Sequence, residues 1–250
     1  MDRLRLFSLV FVSTLSAVPA PAQDAAPLRR AALEYQLGYR ALRAGDIPEA
    51  RRRFESALAA VPSFPEAHLG LGQLAMQDRR FADALAEFTA ARDGYVTLRA
   101  RLAELESARR AAQEDEIGAI EKRLREFDGR SERRGPRTAR LEERLRALRT
   151  AGPGAAVPDV PGDISFCIGN ALFNLGRLDE AVRNWEIAAG TSPRDPMIHN
   201  NLAVGYWKQG RLEAAAAALR QARQLGYRVS PELQAGIAAG LARGRVALAF

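Results

Sequence analysis

Cysteine and histidine, which most often hold metals or serve as nucleophiles and bases, are scarce in this sequence. Cysteine occurs once, as Cys167, and histidine twice, as His68 and His199. One thiol excludes an internal disulfide, and these three residues lack the close spacing of a metal-binding motif. A glycine-rich phosphate loop and a serine nucleophile elbow are also missing. The sequence therefore predicts a non-enzymatic protein with no metal and no other cofactor.

A hydrophobic run long enough to cross a membrane is missing as well. The stretch Leu6–Val18 is apolar over 13 residues, whereas a membrane-spanning helix needs about 20. It follows Arg3 and Arg5 and precedes Ala20-Pro21-Ala22, where small residues occupy the positions that signal peptidase reads. Residues 1–22 are therefore predicted to be a signal peptide cut after Ala22, with an uncleaved anchor helix as the alternative. We expect a periplasmic or secreted protein.

β-Branched residues are sparse, while alanine, leucine, arginine and glutamate dominate, and this composition favours helix over strand. The formal net charge of +7 is spread over the chain. A basic balance favours anionic partners such as nucleic acid, lipid headgroups or acidic proteins. Nucleic acid is disfavoured because acids are interleaved with the bases and the predicted address lies outside the cytoplasm. The composition predicts an all-α fold.

An internal repeat organises the chain. Ile168–Pro193 carries apolar residues at helical spacing on both sides of Gly176, which predicts two short antiparallel helices joined by a tight turn. Five of its small or apolar positions recur 34 residues later. The pairs are Gly169 and Ala203, Gly176 and Gly210, Ala181 and Ala215, Trp185 and Leu219, and Ala188 and Ala222.

The same pattern occurs twice nearer the N-terminus. Its first copy contains Leu37, Gly38, Gly45, Ala50, Phe54, Ala57 and Pro62. Its second copy contains Leu71, Gly72, Ala84, Phe88 and Ala91. In this second copy Arg79 stands at the turn position, and the closing proline is missing.

This 34-residue pattern resembles the tetratricopeptide repeat. The resemblance implies an α-solenoid of helical hairpins in which small residues let the two helices of each hairpin approach closely, while a large residue fills the space between neighbouring hairpins. Repeats one and two are predicted over residues 31–94. Repeats three and four, with a C-terminal capping helix that starts at Ser230-Pro231-Glu232, are predicted over residues 163–243.

A long charged helical insert is predicted between repeats two and three. Because repeat two lacks its closing proline, its second helix is expected to continue into a coiled-coil-like arm over residues 95–150, with a turn at Asp128–Pro136. Its apolar seam is expected to run through Leu98, Leu102, Leu105, Ile117, Ile120, Leu124 and Phe127. A Gly/Pro-rich linker over residues 151–162 follows. We expect all four repeats in one solenoid, with two separate pairs as the alternative.

The insert is basic, with 15 basic and 11 acidic residues between Tyr95 and Arg149. It is a candidate for docking, for self-association, or for contact with anionic lipid or cell-wall polymer through Arg130–Arg140. The alternative is a solvated helix pair with ion pairs inside each helix.

The resemblance also implies a concave groove lined by the first helix of each repeat, which suits an extended peptide. The implied groove residues are Tyr35, Tyr39, Arg43, Gln73, Gln77, Phe166, Asn170, Phe173, Asn174, Asn201, Trp207 and Lys208. The alternative is that some of these rings only pack between helices. The predicted function is a non-enzymatic scaffold or adaptor for a protein or peptide partner in cell-envelope assembly. Docking of the basic arm on an anionic surface is the alternative function.

Two sharper hypotheses compete with this scaffold. Asn170 and Asn201 match the asparagines of a carboxylate clamp, but Phe166, Pro231 and Ala235 stand where that clamp needs cations. His68 and His199 occupy the same repeat position, which predicts a structural use rather than metal binding or acid–base chemistry.

Overall fold

The computed structural model describes residues 25–128, 135–152 and 160–247. The predicted signal peptide lies outside this part of the chain, and so do Arg130, Arg133 and Arg134 of the basic arm. The described residues form helices and no strands, in agreement with the predicted all-α fold. None of these helices combines the length and hydropathy that crossing a membrane requires.

Ten helices are described. They are α1 (Ala25–Ala44), α2 (Ile47–Ala60), α3 (Pro65–Gln77), α4 (Phe81–Asp128), α5 (Pro136–Thr150), α6 (Gly162–Asn174), α7 (Leu178–Thr191), α8 (Pro196–Lys208), α9 (Leu212–Gln224) and α10 (Pro231–Ala247).

Helix boundaries follow from local side chains. The Asp46 carboxylate accepts the Glu49 backbone N–H at 3.0 Å and caps α2, and the Asp195 carboxylate accepts the Met197 N–H at 2.8 Å and caps α8. Pro65 and Pro196 are the first residues of α3 and α8, where a missing N–H leaves no helical bond unmade.

Each hairpin turns on a residue with left-handed backbone. Gly45, Gly176 and Gly210 have φ values of 83°, 78° and 74°, which glycine adopts without steric cost. In the second hairpin Arg79 takes this place with a φ of 58°. The turn is therefore kept, but at the cost of backbone strain in Arg79.

Small residues bring the two helices of each hairpin together, as the repeat pattern predicts. A Cβ atom placed on these glycines would lie only 2.5–2.8 Å from the large side chain opposite. The pairs are Gly38 with Phe54, Gly72 with Phe88, and Gly169 with Trp185. The three large side chains are almost completely buried, so close packing rather than helix propensity decides these positions.

The chain divides into two compact units. Unit 1 comprises residues up to Tyr95 and from Val160 onward, and unit 2 comprises Val96–Asp159. In unit 1 one buried cluster includes Phe88 and Tyr95 of the second hairpin and Ile164 of the third. It continues through the fourth hairpin to Leu233 and Ile237 of α10. The four hairpins and the C-terminal helix therefore belong to one α-solenoid unit.

Unit 2 holds the C-terminal part of α4 together with α5. Arg144 donates two hydrogen bonds to Glu116, at 2.7 and 3.0 Å, and Arg149 donates one to Glu121 at 2.7 Å. The Gln113 amide donates to the Leu148 carbonyl oxygen at 2.6 Å. These contacts join the two helices side by side, so the ion pairs described here cross between helices as well as lying along them.

The expected apolar seam of the arm is only partly formed. Ile120 and Leu148 are buried, but Leu105 is 54% exposed. The described cross-helix contacts of α5 are made with Gln113 and later residues of α4. The prediction that Leu105 lies in a packed seam is therefore wrong, because the return helix is too short to cover it within this unit.

Candidate functional site

The predicted groove residues lie on the first helices of the four hairpins, α1, α3, α6 and α8. Five of them are exposed, namely Arg43, Gln77, Asn174, Trp207 and Lys208. The other seven are half-buried, namely Tyr35, Tyr39, Gln73, Phe166, Asn170, Phe173 and Asn201.

Asn170 links the third and fourth hairpins. Its Oδ1 accepts a hydrogen bond from Asn201 Nδ2 at 2.8 Å and another from Trp185 Nε1 at 3.0 Å. The backbone carbonyl of Asn170 accepts a third, from Asn174 Nδ2 at 2.8 Å. An indole N–H can only donate, so the orientation of the Asn170 amide is determined by its partners.

This network leaves a complementary pair of polar groups. Both bonds to the Asn170 side chain use its oxygen, so its NH₂ group has no hydrogen-bond partner within the described residues. Asn201 uses its NH₂ group, and its oxygen receives only a long 3.5 Å contact from Asn200. One neighbouring amide thus offers a donor and the other an acceptor.

An aromatic ring and a cation adjoin these amides. The Phe173 ring centroid lies 5.5 Å from that of Trp185, and Lys208 Nζ lies 5.9 Å from the Phe173 centroid. We call the five residues Asn170, Phe173, Asn174, Asn201 and Lys208 the amide cluster. The fold brings these five predicted site residues together across two hairpins.

Trp207 packs against α10, and Phe166 packs against the main apolar cluster of unit 1. The Trp207 ring is 38% exposed, and it passes so close to α10 that a Cβ on Gly236 would lie 2.8 Å from it. Phe166 is half-buried against the main apolar cluster. Both residues therefore combine packing with an accessible edge.

Tyr35 and Tyr39 belong to the first hairpin's packing. The Tyr35 ring centroid lies 6.3 Å from that of Tyr39, 5.8 Å from that of Phe54 and 6.1 Å from that of Phe64. Burial raises the pKa of Tyr35 well above its ordinary value. No described contact joins this aromatic group to the amide cluster, so packing explains much of the placement of Tyr35.

Glu66 is a polar residue on a first helix that the sequence analysis did not single out. It is the second residue of α3 and only 7% exposed. Its Oε1 accepts a hydrogen bond from the Tyr95 hydroxyl at 3.2 Å, and its Oε2 is buried without any partner among the described residues. Burial raises the pKa of Glu66, and interactions of the carboxylate with the backbone N–H of Glu66 itself and with the Tyr95 hydroxyl partly oppose this. The available signal was its place on α3, because the resemblance implies a groove lined by the first helix of each repeat.

The contacts and burial of Cys167, His68 and His199 indicate structural roles for these side chains. Burial raises the pKa of the Cys167 thiol to about 12, which disfavours the nucleophilic thiolate. His68 and His199 donate from Nε2 to the carbonyl oxygens of Pro62 and Pro193, at 2.9 and 2.8 Å. The described residues contain no group of histidine, cysteine and acidic side chains that could hold a metal.

Comparison with known families supports the repeat pattern. The sequence profile of the tetratricopeptide repeat family matches residues 35–95 and residues 168–226. None of the curated proteins matches this chain.

Several solved structures are similar to this chain. A variant of MamA shares 18% sequence identity over 78% of this chain and 77% of that chain, with a TM-score of 0.47. A thermophilic TPR protein from Thermus thermophilus shares 22% identity over 87% and 98%, with a TM-score of 0.33. YrrB, described as a TPR protein with an unusual peptide-binding site, shares 18% identity over 77% and 84%, with a TM-score of 0.29.

Proposed function

We propose that this chain, which carries repeats of the tetratricopeptide family over residues 35–95 and 168–226, is a non-enzymatic scaffold that binds an extended polypeptide along the first helices of its repeats. The family supports protein–protein interaction as the general role. The position and chemistry of the bound segment are our inference from the amide cluster.

The observation that carries this proposal is the oriented pair of amides. Asn170 presents NH₂ donors and Asn201 presents an acceptor oxygen, on helices of adjacent hairpins. An extended peptide offers a carbonyl and an N–H along its edge, which match this pair without regard to its side chains. The hydrogen bonds of Asn170 to Trp185 and Asn201 hold the pair in place before binding, which lowers the ordering cost.

Specificity would come from the groups around the amides. The half-buried ring of Phe173 and the exposed edge of Trp207 suit apolar side chains. Lys208, which lies over Phe173, adds a positive charge at that end. An extended segment with an apolar residue near an acidic one would satisfy these groups.

The test uses peptides selected by the whole chain from a random dodecapeptide library displayed on phage. Affinities of the synthetic peptides are then measured by fluorescence polarisation. Asn201→Ala removes the acceptor and also the hydrogen bond that positions Asn170, so we expect binding to weaken by at least about 5- to 10-fold, the effect of one lost hydrogen bond. Asn184→Ala is the matched control, because Asn184 lies on the second helix α7 and bonds the Glu180 carbonyl there. Equal affinities of wild type and Asn201→Ala would refute the proposed site.

The cellular address is also a proposal. A basic start, a 13-residue apolar stretch and a small-residue cleavage site support export through residues 1–22 and a role in the cell envelope. Mass spectrometry of the protein recovered from a bacterial periplasm tests this. A mature chain beginning at Gln23 is expected, and an uncleaved or cytoplasmic chain would contradict it.

A second candidate function rests on a cavity within unit 2. This surface cavity of about 460 Å³ is lined by Arg123, Glu126, Phe127, Arg137, Arg140 and Leu141. The three arginines form no ion pair with any described residue, whereas Arg144 and Arg149 on the same arm are paired. Unpaired guanidinium groups around an apolar floor suit an anionic lipid headgroup at a membrane surface.

Co-sedimentation with vesicles tests this second function. Binding to vesicles that contain phosphatidylglycerol, but not to pure phosphatidylcholine, is expected, and Arg123→Gln, Arg137→Gln and Arg140→Gln together should abolish it. Replacing Arg101, Arg110 and Arg146 by glutamine removes the same charge elsewhere on the arm and should have a smaller effect. Equal losses would indicate unspecific attraction and overturn the site.

A further inference from the structure

Glu66 is the one side chain of the described residues with a fully buried polar atom that has no hydrogen-bond partner. Buried polar atoms in folded proteins are almost always paired, since an unpaired one costs about 1–3 kcal/mol. The cost is present in either protonation state, because a protonated Oε2 would be a buried donor without an acceptor. A donor that reached Oε2 would therefore be stabilised by more than an ordinary surface hydrogen bond.

Two partly buried carboxylates of unit 1 have cationic partners. Glu34 pairs with Arg53 at 3.0 Å, and Glu87 pairs with His68 at 2.7 Å. Glu66 is more buried than either, yet it forms no ion pair with any described residue. The whole chain has an excess of cations, with a net charge of +7. The lack of a cation is therefore specific to the surroundings of Glu66.

The next hairpin repeats this feature at the same position. Asp163 is the second residue of α6, as Glu66 is the second residue of α3, and it too lacks a cationic partner among the described residues. Burial raises the pKa of Asp163, and the charge of Asp195 raises it further. Two consecutive hairpins thus place a carboxyl group without a cationic partner at the same place on their first helices.

Aromatic side chains lie near the Glu66 carboxylate. Tyr95 is bonded to it through its hydroxyl at 3.2 Å. The Tyr35 ring packs on Phe64, two residues before Glu66, with 6.1 Å between the ring centroids, and the charge of Glu66 adds to the effect of burial in raising the pKa of Tyr35. Tyrosine rings attract a cation through their electron-rich faces. A carboxylate with tyrosine side chains nearby is a chemical environment that fits a guanidinium or ammonium group and disfavours an anion.

We infer that the Glu66 carboxylate, with Tyr35 and Tyr95 near it, receives an arginine or lysine side chain of the polypeptide that the repeats bind. This inference rests on the proposed function and adds the chemistry of one partner residue. The incoming cation donates to the unpaired Oε2, and a guanidinium group does so with the better geometry because its N–H donors are planar and fixed. The partner segment therefore carries a basic residue in addition to the part bound at the amide cluster.

The experiment uses the dodecapeptides selected by the whole wild-type chain. We expect an arginine or lysine at one fixed position of the selected sequences. Replacing that arginine by citrulline, or that lysine by norleucine, should weaken binding to the wild type at least 10-fold. The same replacement should change binding to Glu66→Gln by less than about 3-fold, because the charge that distinguishes the two peptides is gone.

The controls separate this inference from loss of folding and from failure of the proposed function. Glu55→Gln removes the same charge from the exposed side of α2, where Glu55 forms no ion pair with any described residue, and should retain the full preference for the basic peptide. Thermal unfolding shows whether Glu66→Gln is folded. If it is not, Glu66→Asp, which shortens the reach but keeps the charge, is expected to lower affinity for the basic peptide and not for the citrulline or norleucine peptide.

The experiment distinguishes failure of the Glu66 inference from failure of the proposed peptide binding. Selected peptides without a fixed basic residue, or an equal loss for basic and neutral peptides in Glu66→Gln, would overturn the role of Glu66 and leave peptide binding intact. A library that yields no binding peptide at all would overturn the proposed function itself.

Discussion

At the scale of single residues, the molecule depends on steric fit more than on charge. Phe54, Phe88 and Trp185 are buried because a glycine stands opposite each one, and any larger residue there would separate two helices. Most described ion pairs are exposed and contribute little. Substitutions are most informative at residues that have a strained backbone or a partly buried ion pair.

Arg79 is one such exception. Its φ of 58° costs an L-residue about 1–2 kcal/mol relative to glycine. We expect Arg79→Gly to raise the free energy of unfolding by about 1 kcal/mol, measured by urea denaturation. Arg80→Gly is the control, because Arg80 pairs with Asp78 and Asp83 and has no positive φ. A destabilised Arg79→Gly would show that the turn is not strained.

His68 makes the stability of the folded protein depend on pH. Its hydrogen bond to the Glu87 carboxylate, and a weaker one to the Pro62 carbonyl, raise the pKa of His68 above the ordinary 6.5, against the effect of burial. The stabilisation is complete below the unfolded-state pKa and is lost as the pH rises through the higher folded-state pKa.

His68→Gln should therefore cost about 0.5–1 kcal/mol more near pH 5.5 than near pH 8.5, measured by urea denaturation at both values. His199→Gln is the control, because the described bond of the His199 ring is to the Pro193 carbonyl and involves no carboxylate. A pH-independent cost for His68→Gln would show that Glu87 does not favour the imidazolium.

At the scale of elements, the hairpins were predictable and the packing of the arm was not. Helix starts at Pro65, Pro196 and Pro231 follow from local chemistry. The length of α4 follows from the missing proline after repeat two, so its continuation beyond Tyr95 needed no tertiary information. The exposure of Leu105 could not be predicted, because it depends on how far the second arm helix extends alongside the first.

The C-terminal helix α10 covers the last hairpin. Ile237 is 2% exposed in the main apolar cluster, so Ile237→Ala should destabilise the unit by about 2–4 kcal/mol, as for other large-to-small core changes. Ala238→Ser, on an exposed position of the same helix, should leave the unfolding midpoint nearly unchanged. Equal stability of Ile237→Ala and wild type would mean that α10 does not dock in solution.

At the scale of the whole molecule, the repeats form one unit although a long helical insert, residues 96–159, interrupts them. The apolar cluster that joins Tyr95 to Ile164 makes repeats two and three neighbours, which resolves the choice between one solenoid and two separate pairs. Stacked repeats stabilise each other through such interfaces. The insert is a compact unit of its own.

Deletion of the insert should therefore preserve the solenoid. We expect a chain in which residues 96–159 are replaced by a short glycine–serine loop to unfold cooperatively and to keep its affinity for selected peptides within about 3-fold, measured by circular dichroism and fluorescence polarisation. The same chain should lose binding to anionic vesicles. A large loss of peptide affinity would instead assign the insert a part in the groove.

The sequence by itself determined the all-α class, the 34-residue period and the small residues where the helices of a hairpin cross, because these depend on local spacing and on side-chain size. It also placed Asn170 and Asn201 at neighbouring repeat positions. Only the tertiary structure decided that their amides bond each other, that Tyr35 is largely a packing residue, and that Glu66 lies buried with one oxygen unpaired. Hydrogen-bond geometry and burial depend on contacts between residues that are distant in the chain, and the spacing of the repeats does not specify those contacts.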